Sequence, residues 1–308
     1  MANKGPFEAI VRGNEPIANC IYRVRLEFSG DGADAFAKTR AGQFAQLDLS
    51  DVSLPALENI PKKLRDASKR NVLLRRPFSF SGVQTQGGKT LVDILYCIVG
   101  PSSLRMTTLA DGDAVSVIGP LGNGFWIPEA TETALLVVGG MGAGPLEHLA
   151  KDLRTACADM NIVAFAGARS AADLPFEGEL NNIGTGLGSW LKEFSASDTP
   201  CCVATDDGSA GHKGFVTNLL CDWLDENDFE PTKTVIYTCG PEIMLEKVAQ
   251  IASERNIHCQ VSMERRMACG IGLCQSCAIE CKNESSPETF YKMCCKDGPV
   301  FNGNEVVF

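Results

Sequence analysis

Histidine is scarce in this chain: three in 308 residues, His148, His212 and His258, with no triad or metal-ligand spacing among them. Each reads as a surface or helix residue, so imidazole chemistry is not where the function lies. Positive charge is in deficit too, with 28 Lys+Arg against 38 Asp+Glu for a net charge of −10. Nucleic-acid binding needs a basic stripe and none is visible, which excludes nucleic acid as an expected partner. No apolar run approaches the roughly 18 residues of a membrane span. The start, MANKGPFEAIVRGNEP, has no continuous apolar signal region. A cytoplasmic setting is therefore expected. Internal repeats and low-complexity tracts are absent as well. Cysteine is what the chain has in excess, with 14.

A hydrophobic content of 44% with 21% charged residues is that of an ordinary globular protein, and 308 residues suggest about two domains. Eight cysteines are scattered, at positions 20, 97, 157, 201, 202, 221, 239 and 259. Six crowd into 27 residues: Cys269, Cys274, Cys277, Cys281, Cys294 and Cys295. A disulfide scaffold belongs to short secreted domains, whereas clustered thiols in a reducing setting hold metal more often than they bond to each other.

Three regions separate by pattern, giving an α+β multidomain fold class. Residues 1–127 read as an antiparallel β-barrel, with strands expected at 20–28, 43–49, 92–99 and 114–118. Turn signals are Gly30-Asp31-Gly32, Gly87-Gly88 and Asp111-Gly112-Asp113. A charged segment, 51–71, reads as an insertion on the barrel surface with a short helix. Residues 128–256 alternate strand (134–138, 162–166, 201–205, 234–239) with helix (146–160, 182–194, 217–227, 242–254), the pattern of a parallel α/β sheet. Residues 257–308 read as a short Cys-rich tail.

In MACGIGLCQSC the spacing Cys269-x4-Cys274-x2-Cys277 is the plant-type arrangement for a [2Fe–2S] cluster, completed by a distant fourth cysteine. Gly270 and Gly272 let the loop turn tightly around it. Spacing leaves Cys294 and Cys295 equal as the fourth ligand. It also leaves two alternatives: a zinc site using Cys274, Cys277, Cys294 and Cys295, and a thiol-redox pair Cys274/Cys277. LLVVGGMGAGP runs from a strand through Gly139, Gly140 and Gly142 into a helix, a turn that can present backbone N–H groups to phosphate. It is not G-x-G-x-x-G. Tyr237-Thr238-Cys239-Gly240-Pro241 repeats the arrangement at a later strand end, where open α/β sheets bind ligands. In Arg75-Arg76-Pro77-Phe78-Ser79, an arginine on a barrel strand can grip a diphosphate with bidentate geometry.

R-x-[YF]-S on a β-barrel, then VGG-x-G-x-G-P, then CGP-x-x-M, resembles the ferredoxin-reductase superfamily of flavin enzymes. Within it, ERRMACGIGLCQSC followed by CKDGPVF resembles the electron-transfer subunit family of type B dihydroorotate dehydrogenases. GPLGNGF, GARSAADL and ATDDGSAGHKGFVT are further family-like stretches, while the 51–71 segment is longer than the resemblance leads one to expect.

The resemblance implies roles. Arg76, Pro77, Phe78 and Ser79 would hold FAD, with Arg76 on the pyrophosphate and Ser79 near the flavin N5 edge. Leu95, Tyr96 and Cys97 would run beside the flavin and its ribityl chain, Cys97 standing where an arginine is expected. Gly100, Ser102 and Ser103 would form the pyrophosphate loop. Cys239 reads either as a group beside the nicotinamide or as a small buried strand-end residue. Arg169 and Ser170 fall where adenosine ribose is read, leaving NADH and NADPH both open. The fourth cluster ligand becomes Cys295, with Cys269 and Cys274 on one iron, Cys277 and Cys295 on the other, and Cys281 and Cys294 spare. The implied activity is electron transfer between the FMN of a separate dihydroorotate dehydrogenase catalytic subunit and NAD(H), within a heterotetramer serving pyrimidine biosynthesis. A reductase subunit of hydrogenase, sulfide dehydrogenase or ferredoxin:NADP oxidoreductase type is the alternative. A non-enzymatic zinc-binding module is the third reading.

Overall fold

The computed structural model describes residues 5–178, 180, 183–283 and 286–308. Strands β1 (Gly5–Ala18), β2 (Ile21–Phe28), β3 (Phe44–Leu47), β4 (Arg76–Ser79), β5 (Gly82–Gln86), β6 (Lys89–Cys97) and β7 (Ala114–Leu121) form one antiparallel sheet in the order β4-β3-β7-β1-β2-β6-β5. Alternation sets its two faces: Val24, Leu26 and Phe28 point inward on β2, and Val92, Ile94 and Tyr96 on β6, packing on Ala45, Leu47, Val115 and Val117. Gly87 and Gly88, both at positive φ, make the tight β5–β6 turn. The β4–β5 connection curls the sheet, with Ser81 N–H donating to Asp93 O on β6.

Two elements of this half differ from expectation. Gly30-Asp31-Gly32 does not end in a turn; it opens helix α1 (Gly30–Phe36), which buries Phe36 against Phe28 with ring centroids 3.9 Å apart. The charged 51–71 segment holds two 3-10 turns and a single α-turn, α2 (Arg65–Ser68), seated by Ile60 and Leu64 against Ile98 and Leu104. Helix α3 (Pro101–Met106) follows β6.

The second sheet comprises β8 (Thr133–Gly139), β9 (Asn161–Ala168), β10 (Cys201–Thr205), β11 (His212–Lys213), β12 (Thr234–Cys239), β13 (His258–Ser262) and β16 (Val300–Asn302). Its order is β11-β10-β9-β8-β12-β13-β16, parallel except at β16. Helices α4 (Ala143–Ala156), α6 (Val216–Glu226) and α7 (Glu242–Glu254) cover it. The chain moves outward from β8 and later returns to β12 on its other side, so the topological switch point lies between the carboxyl ends of β8 and β12.

A helix expected over 182–194 is not formed. Residue 182 lies outside the described residues; from 183 to 190 the chain is a loop, and only α5 (Lys192–Ser195) is helical. The Trp190 ring lies against Gly184 and Gly188 and donates to Gly186 O at 2.8 Å, so the glycines fold under the indole instead of winding into a helix. The segment from 257 gives β13 and β16 to the nucleotide-type sheet, so that sheet extends past the expected boundary at 256. The hairpin β14 (Ala278–Lys282) and β15 (Thr289–Met293) stands apart.

One apolar core crosses these parts: Phe44 and Leu121 of the barrel, Val261 and Met263 at the sheet edge, and Cys277, Cys294, Cys295 and Phe301 of the Cys-rich segment. A polar joint ties barrel to sheet. Arg23 on β2 reaches Glu147 on α4 (3.1 Å), Glu177 (3.2 Å) and Glu193 on α5 (3.4 Å).

Candidate cluster and cofactor sites

The cysteines of the loop come together in two pairs. Cys269 and Cys274 interact thiol to thiol, as do Cys277 and Cys295, and Cys295 also feels the charge of Cys269. All are free thiols. Backbone N–H groups aim at the sulfurs: Ile271 and Cys274 at Cys269 Sγ (3.5 and 3.4 Å), Gly272 at Cys295 Sγ (3.1 Å), and Cys295 at Cys277 Sγ (3.5 Å). Gly270 and Gly272, at φ +71° and +87°, are what wrap the loop this tightly. This donor set fits a [2Fe–2S] cluster, which takes two thiolates on each iron and N–H donors onto sulfur. Among the described residues no three His, Cys, Asp or Glu side chains close around a single ion.

Two neighbours face elsewhere. The Cys294 thiol donates to Met263 O at 3.3 Å and the Cys281 thiol toward Ile279 O at 3.8 Å, both buried. Within the loop the thiols differ in acidity. Hydrogen bonds from the Ser276 hydroxyl and backbone draw Cys274 down to about 6, whereas burial, then the Cys277 thiol, pushes Cys295 up to about 12.

At the start of β4 the two arginines part company. Arg75 is engaged by Asp48 (3.2 Å) and by Ser116. The Arg76 guanidinium donates only to the carbonyls of Leu74 and Arg75, and among the described residues it meets no carboxylate. Pro77 and Ser79 stand opposite Gln46 and Phe44 on β3, on one face of the sheet. Phe78 turns to the other face, edge-on to Tyr96. Leu95 and Tyr96 are buried, with Tyr96 donating its hydroxyl to Asn14 (3.0 Å). The Cys97 thiol is raised by burial, then by Cys20, against a lowering from Lys63 of the 51–71 segment. Gly100 caps α3, and a side chain added there would meet open space. The Ser103 hydroxyl is occupied within the loop, accepting from the N–H groups of Val99 (2.9 Å) and Gly100 (3.1 Å). Ser102 Oγ is buried without a partner, a polar group left for a ligand. These residues fit an anionic flavin nucleotide.

At the switch point the two glycine turns are one structure. A Cβ on Gly240 would fall 2.8 Å from Gly139 Cα, and one on Gly142 would fall 2.9 Å from Gly240 N. Gly140, at φ +49°, faces open space. Cys239 closes β12 in register with Val138 and Ser262; it is 2% exposed and burial pushes its thiol up to about 12, so it is a neutral wall group. Arg169 and Ser170 follow β9, both paired to Asp173.

Three residues escaped the sequence reading. Asn123, inside GPLGNGF, latches the Cys-rich segment to the barrel: its side chain donates to Asp297 O and Val300 O and accepts from Val300 N–H. Glu264 keeps part of its surface open to solvent, yet its surroundings exclude enough water to raise its carboxyl, beside Cys239 and Cys294. Gln46 lies buried against Gly270. Asn123 and Glu264 lie inside the quoted stretches GPLGNGF and ERRMACGIGLCQSC, but nothing local gives their roles, since each of the three gains its role from a partner distant in the chain.

An antiparallel flavin-type barrel beside a parallel nucleotide sheet is the architecture of the ferredoxin-reductase-like oxidoreductases, and solved structures match it. That of an NADH-dependent reduced ferredoxin-NADP oxidoreductase aligns over 100% of this chain and 91% of its own at 26% identity, TM-score 0.72. Phthalate dioxygenase reductase shares the fold, at TM-score 0.54 and 16% identity over 95% of this chain and 78% of its own. The oxidoreductase NAD-binding domain profile matches residues 136–250, and that of the iron-sulfur cluster binding domain of dihydroorotate dehydrogenase B matches 264–307. The electron transfer subunit of dihydroorotate dehydrogenase B (NAD(+)) of Clostridium perfringens is 37% identical over 98% of both chains. That of Caldanaerobacter subterraneus is 32% identical, also over 98% of both. The chain belongs to this family of dihydroorotate dehydrogenase B electron transfer subunits.

Proposed function

We propose that this chain carries electrons between the FMN of a dihydroorotate-oxidising partner subunit and NAD, by way of a [2Fe–2S] cluster and FAD, in pyrimidine biosynthesis. The observation that carries the reading is the pairing of Cys269 with Cys274 and of Cys277 with Cys295, on a loop packed one strand away from Arg76–Ser79. Bound between them, FAD supplies the exchange of two electrons with NAD(H) and of single electrons with the cluster. The chain's own residues do the rest. Cys269, Cys274, Cys277 and Cys295 hold the two irons, and the N–H groups of Ile271, Gly272, Cys274 and Cys295 stabilise charge on sulfur. Arg76 neutralises the flavin diphosphate with help from Ser102, the strand carrying Leu95, Tyr96 and Cys97 runs beside the flavin, and Ser79 offers a hydroxyl to its edge. Gly139, Gly140, Gly142 and Gly240 bring backbone against the NAD(H) phosphates, with neutral Cys239 behind the nicotinamide.

Fourteen cysteines, none in a disulfide among the described residues, suit a reducing compartment, and we place the protein in the cytoplasm. No helix among the described residues is long and apolar enough to cross a membrane. The full-length likeness to a ferredoxin-NADP oxidoreductase favours a second reading, a reductase serving another acceptor, but the 37% family match outweighs its 26%. Purification with the native partner separates the two. The proposal expects flavin and iron–sulfur absorption and reduction of NAD⁺ by dihydroorotate. A coloured complex that never couples dihydroorotate to NAD⁺ would establish the second reading, and a colourless zinc protein would sink both.

A further inference from the structure

Gln46 is a buried amide with no partner. It is 1% exposed, and neither Nε2 nor Oε1 meets a hydrogen-bonding group of the protein. Leaving such a group unsatisfied carries the full desolvation penalty of its amide, so a buried glutamine held in this way implies a missing partner. Its place in the fold indicates which one. Gln46 sits on β3 between Pro77 of β4 and Ile118 of β7, on the face it shares with Ser79 and Phe44. That face looks onto the core containing Cys277 and Cys295. The amide lies flat on Gly270, the residue after Cys269: a Cβ there would fall 2.8 Å from Gln46 Cγ and 2.9 Å from Cδ, with Nε2 nearer still. Glycine at 270 thus serves two ends, the positive φ of the turn and room for this amide.

Thiolates and sulfides only accept hydrogen bonds, and an amide NH2 brings two donors. We propose that Gln46 Nε2 donates a hydrogen bond to the sulfur shell of the [2Fe–2S] cluster at Cys269, setting its potential from the strand next to the flavin-binding one. Gln46 is a positioning and tuning residue, and the inference rests on the cluster reading above. A donor to sulfur stabilises the reduced, more negative state, so its removal lowers the potential.

The test is an EPR-monitored redox titration of the purified holo-complex, with iron content measured alongside. Gln46→Leu should shift the cluster's reduced-to-oxidised ratio about tenfold toward oxidised at a fixed potential, about 59 mV for one electron, with the FAD midpoint unmoved. Gln46→Met keeps the length without any donor and should move the cluster about as far, covering the case in which leucine disturbs assembly. Gln46→His, which restores a donor, should recover part of the shift. If the cluster potential stays put in both Leu and Met variants, or if only the FAD midpoint moves, the proposal is overturned while the cluster reading stands. A wild type without iron overturns both.

Discussion

Gly272 donates its backbone N–H to Cys295 Sγ at 3.1 Å, across 23 residues of chain. That bond ties the far cysteine into the loop carrying the other three. The adjacent Cys294 points the opposite way and donates to Met263 O. Cys295→Ser should therefore lose most of its iron and its EPR signal, whereas Cys294→Ser should retain both at near wild-type content. Iron analysis and EPR of the two purified variants check this, and loss of the cluster from Cys294→Ser alone would reverse the assignment.

The nucleotide turns make a second prediction. Because Gly142 packs directly on the end of β12 at Cys239 and Gly240, a methyl group there forces the two turns apart. Overpacking of this kind costs about 1–3 kcal/mol, so Gly142→Ala should weaken NADH binding about tenfold or more. Visible absorption from flavin and cluster should be unchanged. Titration by NADH fluorescence measures the first and a spectrum the second; a variant with wild-type NADH affinity would show that the turn does not shape the site.

Much of this arrangement was legible in the sequence because it rests on local rules. Short apolar runs alternating with helices set β8, β10 and β12, and the x4, x2 spacing of Cys269, Cys274 and Cys277 announced the loop. What was not legible rests on contacts distant along the chain. Strand β13, HCQVS, has its apolar run broken by Gln260, and its hydrogen bonds come from β12 and β16. The helix expected over 182–194 gave way to packing of Trp190 on its own glycines. Gln46 and Gly270 are separated by most of the chain, and only the folded barrel brings them together. Even Ser103, whose hydroxyl looked available for phosphate, proves committed to the loop's own N–H groups, while Ser102 beside it is unpartnered.

Thiol acidity within the loop yields a third prediction. In protein stripped of iron, Cys274 with its pKa near 6 is largely thiolate at pH 7, and it is exposed. Cys295, near 12 and buried, is not. Because the thiolate is the nucleophile, Cys274 should be alkylated by iodoacetamide well before Cys295. Its rate should climb through about pH 6 and level off by pH 8, where an ordinary thiol is still rising. Mass-spectrometric mapping over a pH series checks this; a Cys274 rate still climbing at pH 8.5 would contradict it.

The joint between barrel and nucleotide sheet yields the last. Arg23 is the shared cation of Glu147, Glu177 and Glu193, and side-chain exposure of Glu147 and Glu193 is only 6% and 3%. Burial already raises Glu147 above the ordinary carboxylate value, with Lys151 and Arg23 opposing the rise. Arg23→Met removes one of those opposing charges and pushes it higher. Breaking one side of a buried pair costs about 3–5 kcal/mol, whereas Lys192→Ala, at the exposed Lys192–Glu177 pair, should change stability far less. The pH dependence has a definite sign. A carboxyl raised in the folded state destabilises once it must ionise, so the Arg23→Met deficit is full above the raised value, shrinks as pH falls through it, and loses this part only below the ordinary value of 4.5, where Glu147 is protonated in both states. Urea denaturation of both variants at pH 7.5 and near pH 5 measures it. Equal losses at the two pH values would show that Arg23 acts there through packing alone.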